Sequence, residues 1–67
     1  MYNHQLDTFI MVADVGSFNK AAERLYISAN AVMKQINLLE RNIGFPLFER
    51  THTGLNLTRA GKSFYKD

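Results

Sequence analysis

The first part of the chain spaces its apolar residues as α-helices do. An advance of 100° per residue places four apolar side chains on one stripe: Leu6, Phe9, Ile10 and Ala13. This spacing predicts a first helix from about Gln5 to Val15 that ends near Gly16. Ser17 can cap a second helix. Its short apolar face contains Phe18, Ala21, Ala22 and Leu25.

A third helix is predicted after a short turn. Ser28 is a good N-cap residue, and Gly44 suits the left-handed position that follows a helix. Between them an apolar stripe recurs in helical register: Val32, Ile36, Leu39 and Ile43. The third helix is therefore predicted over Ala29 to Ile43. Two helices joined by a turn of three or four residues are typical of the helix-turn-helix motif, although this turn lacks glycine.

The pattern changes from helical spacing to alternation after Pro46. Leu47 to Arg50 and Leu55 to Leu57 can pair as a small hairpin around the turn Thr51 to Gly54. Thr58 can cap a fourth helix, which contains Ala60, Phe64 and Tyr65 and looks cut off at the end of the chain. The predicted fold is mainly α with a small β-hairpin: a winged helix-turn-helix with a three-helix core, a wing and the start of a further helix.

Composition narrows the choice of function. The chain has 67 residues, 46% of hydrophobic types and a net charge of +2, which fits one small core and permits nucleic acid as a partner. It has no cysteine and no evident His/Asp/Glu cluster, so we expect neither a metal nor a cofactor. There is no signal-peptide pattern and no bilayer-length apolar run, and we expect a cytoplasmic protein without membrane contact.

One side of the third helix is polar and carries no acid before Glu40. Opposite the apolar stripe lie Asn30, Lys34, Asn37 and Arg41, with Met33 on the flank. A recognition helix buries its back and offers its first turns to the major groove. Asn30 can bridge N6 and N7 of adenine, and Lys34 can reach guanine or phosphate. Ala29 or Met33 can contact a thymine methyl group.

Phosphate contacts are predicted around this polar side. Ser17 and Ser28 begin helices whose N-termini suit phosphate, and Arg50, His52 and Thr53 of the hairpin can hold the DNA backbone. Lys20 and Arg59 are weaker candidates. The DNA-binding residues predicted from the sequence are thus Ser17, Ser28, Ala29, Asn30, Met33, Lys34, Asn37, Arg50, His52 and Thr53.

Other interpretations of the same residues remain open. A polar helix side is often only a solvated surface, and winged helices also serve as protein-interaction or dimerisation modules without DNA binding. In that alternative, Tyr26, Met33 and Leu38 form an adaptable apolar patch. An enzyme is disfavoured, because no nucleophile, base and orienting group can be placed together; no catalytic residue is predicted.

Two segments, "FIMVADVGSFNKAAERLYIS" and "LLERNIGFPLFERTHTGLNLTRAG", closely resemble the N-terminal DNA-binding domain of LysR-type transcriptional regulators. The resemblance covers nearly the whole chain and includes the runs Gly16-Ser17-Phe18, Pro46-Leu47-Phe48 and Leu57-Thr58. It implies a bacterial domain over residues 1–58 that binds double-stranded promoter or operator DNA at the nucleoid. Residues 59–67 would begin a linker helix that forms a homodimer, and Phe64 and Tyr65 are expected to be poorly covered in a lone domain. A small-molecule effector would bind only a C-terminal domain that is absent here.

The sequence departs from the family pattern on the side of the third helix that contacts DNA. The family commonly has Gln-Pro where this chain has Ala29-Asn30, and Ser-Arg where it has Met33-Lys34. Loss of the two-pronged arginine guanidinium and of the glutamine amide changes which bases can form hydrogen bonds with the helix. The resemblance therefore implies DNA binding with an altered sequence preference.

Overall fold

The elements follow the predicted order from helix to hairpin to helix. A computed structural model describes residues 4–52 and 54–66. Within them the helices are α1 (His4–Val15), α2 (Phe18–Leu25), α3 (Ala29–Ile43) and α4 (Arg59–Lys66). Strands β1 (Phe48–Thr51) and β2 (Gly54–Leu57) pair antiparallel, with Phe48 opposite Leu57 and Thr51 opposite Gly54, and form the hairpin called the wing below. The winged helix-turn-helix prediction is confirmed, and the bounds of α3 match it.

The core lies where α1, α2 and α3 meet under the start of the wing. Its buried apolar residues are Phe9, Val12, Ala21, Ala22, Val32, Ile36, Leu39 and Leu47. The α3 stripe is confirmed, since Val32, Ile36 and Leu39 are at most 4% exposed. Ala21 and Ala22 have small side chains, which allows the backbones of α2 and its neighbours to approach closely.

The predicted apolar stripe of α1 is confirmed for Phe9, which is 1% exposed, and wrong for Leu6 and Ile10. Leu6 is 37% exposed and Ile10 is 44% exposed, whereas the buried residues of α1 are Thr8, Phe9 and Val12. The buried side is thus rotated by about 100°, one residue's advance, from the predicted one. The cause is that α1 is apolar on two sides, and α3 packs on the side that holds Thr8, whose hydroxyl donates a hydrogen bond to Gln35 Oε1.

The turn between α2 and α3 uses a tyrosine where glycine is usual. Tyr26 adopts a left-handed conformation (φ 59°), its N–H donates to Glu23 O at 3.4 Å, and the N–H of Ile27 donates to Ala22 O at 3.1 Å. These two bonds form a Schellman motif, which ends α2 and turns the chain toward α3. A left-handed non-glycine residue costs roughly 1–2 kcal/mol, and the Tyr26 side chain is 94% exposed, so packing offsets little of this.

The end of the wing and α4 close over the backbone of residues 46–48. The Thr58 N–H donates to Leu47 O at 2.9 Å, and the Thr58 hydroxyl donates to Pro46 O at 2.7 Å. The same hydroxyl oxygen accepts the Gly61 N–H at 2.9 Å, which confirms Thr58 as the cap of α4. Gly61 is buried, and a Cβ there would lie 2.1 Å from Leu47 O.

Phe64 is better covered than the sequence suggested. Its ring makes an edge contact with the ring of Phe9, with centroids 5.4 Å apart, and Phe48 approaches Phe9 at the same distance. The expectation of a poorly covered Phe64 is therefore wrong, because α4 folds back onto α1. Tyr65 is 44% exposed.

Tyr65 links α4 to α1 by a hydrogen bond. Its hydroxyl donates to Asp14 Oδ1 at 2.5 Å. This hydrogen bond and the negative charge of Asp14 raise the pKa of Tyr65, because both favour the protonated phenol. The hydrogen bond therefore weakens when Tyr65 loses its proton at alkaline pH.

We expect Gly61→Ala to lower the free energy of unfolding by at least about 1 kcal/mol, because the new Cβ meets a backbone oxygen that cannot move without displacing β1. Ser63→Ala, an exposed position in the same helix, is the control and should change it by no more than about 0.5 kcal/mol. Urea denaturation measures both. Equal stabilities of the two variants would contradict the close approach of Gly61 to Leu47.

We expect the Tyr65–Asp14 hydrogen bond to stabilise the fold below about pH 10, the ordinary tyrosine pKa, and to be lost as pH rises through the higher pKa of the folded chain. Tyr65→Phe should therefore be less stable than the wild type at pH 8, with a difference that shrinks above pH 10. Urea denaturation from pH 8 to 11 measures this, with Tyr26→Phe as the control. A difference that is constant over this range would contradict the prediction.

Candidate nucleic-acid interface

The polar side of α3 faces outward and forms a groove. Asn30, Lys34 and Asn37 are exposed, and Met33 is half-buried. A cavity of about 450 Å³ runs along this side, called the α3 groove below and lined by Asn30, Met33, Lys34, Asn37, Leu38 and Arg41. At a rise of 1.5 Å per residue, these positions cover about 16 Å of helix axis. Spacings of three and four residues keep them on one face.

The ends and the back of α3 hold this face in place. The Ser28 side chain accepts the Ala31 N–H at 3.0 Å, and Gly44 adopts a left-handed conformation (φ 90°), its N–H donating to Glu40 O at 2.8 Å. Because Val32 and Ile36 are buried on the opposite side, α3 cannot rotate without exposing them. The polar face is therefore fixed by the core.

The α3 groove is positively charged. Lys34 and Arg41 line it, and none of its six described lining residues is acidic. The nearest acid in sequence, Glu40, is directed to the wing, where its Oε2 accepts the N–H of Leu47 at 2.7 Å and that of Phe48 at 3.4 Å. An anion approaching the groove therefore meets amides and cations.

A second cleft lies between the start of α2 and the wing. It has a volume of about 430 Å³, is called the α2–wing cleft below, and is lined by Gly16, Ser17, Phe18, Asn19, Arg50, Thr51, Gly54 and Leu55. The Arg50 guanidinium lies 5.2 Å from the centroid of the Phe18 ring, a cation–π contact that orients it. Ser17 Oγ accepts the Lys20 N–H at 3.2 Å, and its hydroxyl proton can still donate to a ligand.

The structure brings six of the ten sequence-predicted residues together in these two clefts. Asn30, Met33, Lys34 and Asn37 share the α3 groove, while Ser17 and Arg50 share the α2–wing cleft. Ser28 is exposed at the N-terminus of α3, and His52 is exposed at the end of the wing. Ala29 is partly buried against the core, so less of its methyl group is accessible. Thr53 lies outside the described residues.

Three residues that the sequence analysis does not predict as site residues line the two clefts. Arg41 lies on the predicted polar side, four positions after Asn37, and lines the α3 groove. Phe18 packs against the core, as its place on the apolar face of the second helix predicts, and its ring also contacts the Arg50 guanidinium. Asn19 carried no signal in the sequence, because its place in the α2–wing cleft depends on the wing folding over α2.

No helix within residues 4–52 and 54–66 is both long enough and apolar enough to cross a bilayer. The same residues contain no group of three or more His, Cys, Asp or Glu side chains that would hold a metal ion.

Comparisons with known proteins agree with this geometry. Residues 3–62 match the sequence profile of the bacterial regulatory helix-turn-helix proteins of the lysR family. The chain is 51% identical over 63 residues to the HTH-type transcriptional regulator TfdT of Cupriavidus pinatubonensis (strain JMP 134 / LMG 1197), covering 94% of this chain and 28% of TfdT. It is 49% identical over 63 residues to ClcR of Pseudomonas putida, covering 94% of this chain and 21% of ClcR. The chain thus spans less than a third of either regulator.

A solved structure of a DNA-binding domain also has the fold of this chain. The crystal structure of the CbnR_DBD–DNA complex superposes on this chain with a TM-score of 0.91 at 42% identity, covering 100% of this chain and 77% of that one. The chain therefore belongs to the LysR family of bacterial regulatory helix-turn-helix proteins and has the fold of a LysR-type DNA-binding domain.

Proposed function

We propose that this domain binds double-stranded promoter or operator DNA in a sequence-specific way, with α3 in the major groove and the wing on the flanking backbone or minor groove. The observation that carries the proposal is the α3 groove: an outward, acid-free row of amides and cations on a helix whose back is buried. An α-helix with its side chains is about 10–12 Å wide, which matches a major groove about 12 Å wide.

The first turns of α3 supply the contacts to bases. Asn30 offers an amide that pairs with N6 and N7 of adenine, and Lys34, one turn later, reaches guanine acceptors or a phosphate. Met33, on the flank of this face, has an apolar side chain that suits a thymine methyl group. Asn37 follows a further turn along, where it meets the next base pair or the groove edge. Ala29 contributes less, since it is partly covered.

Phosphate contacts come from the α2–wing cleft and the start of α3. Arg50 and the N-terminus of α2 face the same cavity, where a phosphate would receive the guanidinium and the Ser17 hydroxyl together. Ser28 adds a second helix N-terminus beside the groove. His52 extends the phosphate contacts along the wing. Thr53 is included from the sequence alone.

The relatives suggest the wider setting. Residues 1–58 act as the DNA-binding domain, and residues 59–67 begin a linker helix through which two copies pair as a homodimer. Tyr65 is 44% exposed and Ile10 is 44% exposed, which leaves apolar surface on α4 and α1 for such pairing. In the whole regulator a further domain binds a small-molecule effector, and the protein works without a catalytic residue in the bacterial cytoplasm at the nucleoid.

We expect Lys34→Ala to weaken binding to a duplex that the wild-type domain selects from a random DNA pool. If Lys34 contacts a phosphate, the slope of log affinity against log salt concentration should fall by about 0.9; if it contacts guanine, preference at one base pair should relax by about 1–3 kcal/mol. Fluorescence anisotropy titrations at several salt concentrations measure both effects.

Lys62→Ala is the matched control, since it removes the same charge from the exposed surface of α4. It should change both the affinity and the slope less than Lys34→Ala does. Failure of the wild-type domain to bind any duplex in the pool would refute the proposed function, and would favour a protein-interaction role for the patch of Tyr26, Met33 and Leu38.

A further inference from the structure

Glu40 is an acid in an unexpected place. It lies in the last turns of α3, where a negative charge is unfavourable for the helix dipole, and it borders a face that is proposed to meet phosphates. Its carboxylate nevertheless has a defined partner: Oε2 accepts the N–H groups of both Leu47 and Phe48, at 2.7 Å and 3.4 Å. These two residues carry the chain into the wing. The side chain thus bonds α3 to the root of the wing.

The peptide groups at the root of the wing are held from two sides. Glu40 of α3 binds the N–H of Leu47, while Thr58 binds the C=O of Leu47 at 2.9 Å and that of Pro46 at 2.7 Å. The Leu47 side chain is fully buried in the core. On the far side, Thr58 caps α4. The Glu40 bonds therefore link the polar edge of α3 to the root of the wing, in addition to the packing of the Leu47 side chain in the core.

The position of this link matters because both of its ends carry proposed DNA contacts. Glu40 lies one residue from Arg41 of the α3 groove, and Phe48 lies two residues before Arg50 of the α2–wing cleft. A rigid duplex has a fixed spacing between its major groove and the flanking phosphates. Simultaneous contact by α3 and Arg50 therefore requires a fixed angle between helix and wing.

We propose that Glu40 is a positioning residue for DNA binding, which holds the wing at the angle to α3 that lets Arg50 reach the backbone while α3 occupies the groove. The inference rests on the proposed function. In this role the carboxylate does not contact DNA but acts through the backbone of residues 47 and 48. Its negative charge accepts hydrogen bonds from two N–H groups and does not face the phosphates.

A double-mutant cycle tests this role. The variants are Glu40→Ala, Arg50→Ala and the pair, titrated on the duplex that the wild type selects. We expect Arg50→Ala to weaken binding about three- to tenfold in the wild-type background, and less than about twofold when Glu40 is alanine, because the misplaced wing no longer delivers Arg50. Lys34 contacts DNA from α3 and not from the wing, so Lys34→Ala should lower the affinity by the same factor in the wild-type and Glu40→Ala backgrounds.

Glu40→Gln, a conservative variant, distinguishes loss of the hydrogen bonds to the wing from loss of the side chain as a whole. Glu40→Gln keeps the length of the side chain and one acceptor oxygen, so it should retain more of the Arg50 contribution than Glu40→Ala does. The same cycle is run on Glu40→Gln if Glu40→Ala fails to fold in a thermal melt. An Arg50→Ala loss that is equal in the wild-type and Glu40→Ala backgrounds would overturn the proposal.

A measurement without DNA separates this inference from the proposed function. Residual dipolar couplings of backbone N–H groups report the orientation of residues 48–57 relative to α3 in the free protein. We expect Glu40→Ala to change the wing couplings and to leave those of α3 unchanged. Unaltered wing couplings overturn the positioning role itself, whereas a wild-type chain that binds no duplex overturns the proposed function and with it any part of Glu40 in DNA binding.

Discussion

The structure depends on the burial of one narrow stripe of α3. Val32, Ile36 and Leu39 lie within about 60° of one another on the helix and are nearly inaccessible to solvent. Rotating α3 by one residue's advance would bury Glu40 in one direction, or Gln35 and Asn42 in the other. Burying a polar or charged group without a partner costs several kcal/mol, which a core this small cannot absorb. The core therefore determines which side of α3 faces outward.

Local signals in the sequence were enough to find the elements, because each depends on neighbouring residues. Ser28 and Gly44 gave the limits of α3, and Pro46 and Thr58 bracketed the wing. The exposure of Asn30, Lys34 and Asn37 also follows from local periodicity, since it is the complement of the buried stripe. Their roles toward DNA are still predictions.

The features that sequence reasoning missed depend on contacts between distant residues. The apolar residues of α1 occupy two sides of the helix, and tertiary packing buries Val12 beside Phe9 while it leaves Leu6 and Ile10 exposed. The cover over Phe64 comes from Phe9, 55 positions earlier in the chain. The support of Arg50 by Phe18, and of the wing by Glu40, likewise requires the hairpin to fold back over α2 and α3.

The groups that hold the geometry are separate from the groups that face the grooves. Gly44, Glu40, Thr58 and Gly61 fix the ends of the helices and the root of the wing, and none of them lines the α3 groove. Asn30 and Lys34 are exposed, so replacing them alters few contacts within the folded chain. A scaffold built in this way can keep its helix and wing in place while the base-contacting side chains change. That separation accounts for a chain that retains the family fold and yet has Ala29-Asn30 and Met33-Lys34 where the family commonly has other residues.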